Sequence, residues 1–163
     1  MITNFRHIVL ILLTCLPSFA SAENLQSKEA LSSFLAFVKG GKHQEAANLI
    51  FTAPGKEAAT LERVKMLSNK AAEAGESAIE IVTGKELGTV ARLIVKDTAK
   101  DKTGKPDHDG ILMIKRDDAW KVVLNAREIE ETSGIATPEE HKALQELRKW
   151  QDTTMESLSN LQN

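Results

Sequence analysis

The chain of 163 residues contains no Tyr, a single Cys, four Pro and two Trp, and its aromatic residues make up only 4%. One Cys cannot build a disulfide-stapled fold or a thiolate metal cluster. With no Tyr, a common phenolic acid and hydrogen-bond donor is missing from any site. A formal net charge of −2 excludes both a strongly basic nucleic-acid scaffold and a polyacidic tail. What remains, 42% hydrophobic with 27% charged, is an ordinary globular balance for one domain.

The longest apolar run stands at the start. Arg6 and His7 precede Ile8-Val9-Leu10-Ile11-Leu12-Leu13; Pro17 follows, then Ala20-Ser21-Ala22. A positive start, a short apolar stretch and a small-residue site together have the anatomy of a secretory signal peptide. The run is shorter than the roughly 20 residues a bilayer span needs. Residues 1–22 are therefore expected to be removed, leaving an exported protein, periplasmic or secreted, with no stable membrane insertion. Cys15 leaves with them, so the remainder is thiol-free and must rely on a packed core, for which about 140 residues suffice.

Beyond the leader, helical periodicity comes first. Leu31, Phe34, Leu35 and Val38 mark a helix over 27–39, with Ser27 as its cap and Gly40-Gly41 as its stop. A shorter helix over 42–52 buries Ala46, Leu49 and Ile50, and a third over 57–74 carries Ala58, Leu61, Val64, Leu67 and Ala71. The period then changes to that of strands at 78–83, 89–96, 111–115 and 120–124. Gly84 and Gly88 bracket the first connection, Asp97 to Gly110 form a long polar loop, and Asp117-Asp118 form a tight turn. Short connections make an antiparallel meander the economical order. Thr137-Pro138-Glu139-Glu140 then opens a last helix with a capping box and Pro at its first position.

The expected fold class is thus α+β: three N-terminal helices on a four-stranded antiparallel sheet, plus a C-terminal helix. Residues 23–136 form the domain and 137–163 a helical extension. Ile79, Ile81, Leu93, Val95, Leu112, Ile114, Trp120, Val122 and Leu124 are assigned to one sheet face. Val82, Val90, Ile94, Met113 and Val123 make the other face partly apolar too, which a sheet with one wet face does not need. The C-terminal helix or a partner subunit would cover it, or those residues are scattered surface Val and Ile.

Two stretches carry a family resemblance. The segment from Glu29 through Gly40-Gly41 to Ile50, a long helix, a break and a short Ala-rich helix, resembles the opening of the nuclear transport factor two-like superfamily. Gly110 to Val123, with Trp120-Lys121 after an acidic turn, is similar to its last hairpin. The resemblance covers roughly Ser27 to Arg127, and the helix after Thr137 departs from the minimal pattern. It implies a cone-shaped, cystatin-like fold with a curved sheet and a pocket between sheet and helices. Some relatives are isomerases or dehydratases and many are binding modules, so the fold does not choose among them. Steroid-isomerase-type members pair an Asp base with a Tyr donor, which this Tyr-free chain lacks. Dehydratase-type members use His with Asp; here His43, His108 and His141 fall on a helix start, a loop tip and a helix first turn.

Phe34, Glu80, Arg92 and Trp120 are the pocket candidates. Arg92 could anchor an anion with Glu80 as its partner, although solvent-facing strand charges are the commoner arrangement. Phe34 and Trp120 read first as core. Asp101 to Gly110 lacks the first and twelfth ligands of a calcium loop, Pro54-Gly55-Lys56 lacks the remaining phosphate-loop residues, and no nucleophile elbow occurs. No cofactor, metal or nucleic acid is expected. The function expected is a non-enzymatic exported module binding a protein partner or an apolar small molecule. The alternatives are a small lyase or isomerase using Glu80 or Asp97 near Arg92, and a structural homodimer.

Overall fold

The computed structural model describes residues 25–73, 79–100, 106–125, 129 and 136–160. The expected signal peptide and the tip of the polar loop lie outside them. Among the described residues no helix is long and apolar enough to cross a membrane.

Helix α1 (Gln26–Lys39) buries Leu31, Phe34 and Val38 on one stripe. Its N-cap is Leu25 rather than Ser27, and no side chain of the helix's own terminus caps it. The orphan amide of Ser27 instead donates to Glu86 Oε1 at 2.8 Å, so a strand carboxylate caps the helix. At the other end Gly41 adopts φ +67°, and the Lys42 amide reaches back to Phe37 O at 2.9 Å, closing the helix on a left-handed glycine.

Helix α2 (His43–Asn48) is shorter than its apolar pattern predicts because the chain is recruited into a sheet. Val122 N–H donates to Leu49 O at 2.7 Å and Phe51 N–H to Val122 O at 2.9 Å, making Ile50 a parallel bridge to Val122. Helix α3 (Glu57–Glu73) follows, with Val64 and Ser68 buried and Met66 59% exposed, off the packed stripe.

The sheet is an antiparallel meander in the order β1 (Ile79–Leu87), β2 (Val90–Lys100), β3 (Pro106–Arg116), β4 (Ala119–Val123). β1 runs straight through Gly84, where a turn was expected, and the chain reverses at Gly88-Thr89, with Gly88 at φ +62°. Gly84 lies opposite Leu93, and a Cβ there would come within 2.2 Å of Leu93 Cδ2, so glycine is needed for packing. β2 and β3 extend to Lys100 and Pro106, consuming most of the expected loop. The Asp117-Asp118 turn is as tight as expected, both residues having positive φ (50° and 59°), the geometry of a two-residue hairpin.

Both faces of the sheet are covered. Ala91, Leu93, Val95, Met113, Trp120 and Val122 face α1, α2 and α3 in one core. Val90, Leu112, Ile114 and Val123 face the C-terminal helix α4 (Pro138–Asn160), packing with Ile129, Ala136, Leu144 and Leu147. The C-terminal helix is therefore the cover for the second face. Leu112 and Ile114 lie on that outer face and Met113 on the inner one, the reverse of the sequence-based assignment. A strand buried on both sides has no polar alternation to reveal its orientation.

α4 is seated by one carboxylate. The capping box forms as expected: Glu140 N–H donates to Thr137 Oγ1 at 3.2 Å, and Thr137 N–H donates to Glu140 Oε2 at 2.9 Å. Glu140 also accepts from Thr89 Oγ1 at 2.6 Å and, as a fork, from Arg116 Nη1 at 2.6 Å and Nη2 at 3.0 Å. Burial pushes this carboxyl upward, but the Arg116 hydrogen bonds, Thr89, the Thr137 amide and the Arg116 charge outweigh it, lowering the pKa from 4.5 to about 2. Further along α4, Gly110 leaves room for Gln151, whose Oε1 accepts from Arg92 Nη1 at 2.6 Å.

Glu140→Gln should lower stability at neutral pH by about 2–4 kcal/mol, since Arg116 and Thr89 lose their anionic acceptor. Because the folded pKa lies below 4.5, Glu140's contribution is complete above that value and lost as pH falls toward about 2. Urea unfolding across that window should show a shallower acid decline in the variant than in the parent. Truncation before Thr137 should bare Val90, Leu112, Ile114 and Val123, reducing solubility and raising the binding of a hydrophobic dye; unchanged behaviour would contradict the packing described.

Candidate functional site

The inner layer is incompletely filled. Between α1, α3 and the sheet lies a cavity of about 490 Å³. Leu31, Phe34, Leu35 and Val38 of α1 and Leu67 and Ala71 of α3 form one wall. Val95, Ile111, Val122 and Leu124 form the facing wall. The wall residues of α1 recur every three to four positions, and those of β2 and β3 occupy facing register positions. Ile81 pairs with Val95, Leu93 with Ile111, and Val95 with Asp109. The same strand face thus passes from apolar to acidic toward the open hairpin end, where Asp97 and Asp109 border the cavity together with Lys70 of α3.

Of the four sequence candidates, Phe34 lines this cavity and Trp120 belongs to the same core without lining it. Trp120 is 6% exposed and its Nε1 has no hydrogen-bond partner among the described residues. Arg92 borders the cavity, but its Nη1 is committed to Gln151 on α4. Glu80 is exposed, faces Lys96 across the β1–β2 ladder and does not line the cavity. Asp97 does border it, yet five residues along one strand set the Arg92 and Asp97 side chains on opposite faces. The structure therefore does not bring Glu80, Asp97 and Arg92 together. The histidines are likewise dispersed: His43 opens α2, His108 lies in β3 rather than at a loop tip, opposite Lys96, and His141 sits in the first turn of α4.

Lys70 and Asp109 are the polar cavity residues that sequence reasoning passed over. Lys70 lies three residues after Leu67 on α3, so its helical neighbours were a signal. Asp109 was read as part of a loop, and only the extended β3 puts it beside Val95. Among the described residues, no three His, Cys, Asp or Glu side chains gather as a metal would require. The cavity's chemistry is that of an apolar chamber with charged groups at one end.

No protein-family model and no curated protein matches the chain. Solved structures of similar shape do exist. An NTF2-like protein of Campylobacter jejuni is 15% identical, with 60% of this chain and 98% of that one covered at a TM-score of 0.46. An uncharacterized cystatin-fold protein of Novosphingobium aromaticivorans is 12% identical over 61% and 97% of the two chains, at 0.42. A protein of unknown function from Mycobacterium tuberculosis is 14% identical over 78% and 87%, at 0.43. In fold, the chain resembles NTF2-like and cystatin-fold proteins.

Proposed function

We propose that this chain is an exported, non-enzymatic binding module whose inner cavity takes an apolar small molecule. The observation that carries the reading is the lining: thirteen apolar residues from α1, α3 and the sheet and its continuation at Leu124 border about 490 Å³. That volume lies within the range of sites that enclose one drug-sized ligand. Transfer of apolar ligand surface from water into such a chamber supplies the driving force. Lys70, Asp97 and Asp109 at one end would orient a polar end group. Export rests on the leader-like residues 1–22, and a binding protein outside the cell needs no thiol.

A lyase or isomerase built on Arg92 would need its guanidinium and an acid on the cavity side. The Arg92–Gln151 hydrogen bond draws that guanidinium to the opposite face, so the binding reading is favoured.

The test is titration with a neutral fluorescent probe, N-phenyl-1-naphthylamine. One probe per chain should bind with enhanced emission. Ala71→Phe, which fills the chamber from α3, should weaken uptake about tenfold or more. The same change at exposed Ala36 should leave it unaltered. No uptake, or uptake indifferent to Ala71→Phe, would contradict the proposal.

A further inference from the structure

The two edges of the sheet are treated differently. β4 is covered by the Leu49–Phe51 segment through two main-chain hydrogen bonds, and Lys121 Nζ adds a third bond to Asn48 O at 2.7 Å. β1 is the other edge, and among the described residues no strand lies along its outer side. An edge of this length, nine residues, presents a row of main-chain donors and acceptors that an extended strand satisfies. Ile79 at its start is 48% exposed, and a groove of about 260 Å³ between α1 and β1 is lined by Lys28, Ser32, Leu35, Ile79 and Ile81.

We propose that this edge pairs with β1 of a second copy, antiparallel about a two-fold axis at Thr83. A bulge in β1 sets the register. β1 pairs with β2 as Ile81–Val95 and then Thr83–Ile94, so Val82 is an extra residue and the inside–outside alternation resets there. Without the bulge, Glu80 and Lys85 would face opposite sides of the sheet. With it, both lie on the α4 side, each two ladder positions from Thr83.

A two-fold through Thr83 then sets Thr83 against Thr83, Gly84 against Ile81, and Lys85 against Glu80 of the other copy. Each Ile81 lies opposite a residue with no side chain, and opposite charges face one another twice. Both charges are also suited by their other neighbours. Glu80 stands opposite Lys96, and Lys85 stands opposite Arg92, an unfavourable pairing that an added carboxylate offsets. Lys85 keeps its exposed bond to Glu146 Oε1 at 3.0 Å and has donors to spare.

Sedimentation equilibrium of the full chain tests this directly. The parent should populate a dimer; Glu80→Lys and Lys85→Glu should each weaken it about tenfold or more by setting like charges opposite one another twice. The double variant carrying both should recover dimerisation, which ties the losses to the charge pairing, and the far-UV circular dichroism of each single variant should match the parent. A monomer at every concentration, a dimer indifferent to either single change, or a double variant that fails to recover would each overturn the proposal.

Discussion

Glu140 holds the architecture at its most consequential joint. Its carboxylate closes the capping box of α4, takes the Arg116 fork from the end of β3 and accepts the Thr89 hydroxyl from the β1–β2 turn. One side chain thereby sets where the helix begins and where it meets the sheet. Desolvating a carboxylate is costly, and a cluster of this kind contributes position as much as net stability. Once α4 is seated, Leu144 and Leu147 close over Leu112, Ile114 and Val123 and bury that part of the outer face. The wider constraint is that a four-stranded sheet with two apolar faces needs two covers. The three N-terminal helices supply one and α4 the other.

Much of this was written locally. Thr137-Pro138-Glu139-Glu140 carries its own start signal, and Asp117-Asp118 its own turn, because caps and two-residue hairpins depend on a few adjacent residues. The periodicity of Leu31, Phe34 and Val38 likewise located α1 and the stripe it buries. What failed depended on distant partners. Gly84 looks like a turn until Leu93 is known to occupy the space beside it. Leu112, Met113 and Ile114 are all apolar, so their orientation follows only from the pairing of β3 with β2 and β4. Nothing near Ser27 shows that Glu86, 59 residues away, caps its helix. Arg92 stands out only as a charge interrupting an apolar strand, with solvent the commoner place for it; it is buried, and its hydrogen-bond partner Gln151 lies on a helix whose docking the strand itself does not encode.

The two covers do different work. On the α1 and α3 side a chamber remains beside Val95, Ile111 and Val122. Apolar side chains at an unfilled space forgo dispersion contacts, so the inner layer is packed less completely there. The acidic turn of the strand face at Asp97 and Asp109 gives that space a polar end. The β1 edge, uncovered by any strand among the described residues, is a separate feature, and the bulge at Val82 resets its side-chain direction.

The central claim is that the inner layer contains a ligand-sized apolar space. Xenon binding followed by methyl NMR tests it most directly, because xenon enters dry apolar cavities without specific contacts. Progressive shifts are expected for Leu67, Val95 and Ile111, with unmoved signals for Ile114, Leu144 and Leu147. Shifts confined to the α4 side, or no shifts at all, would contradict it.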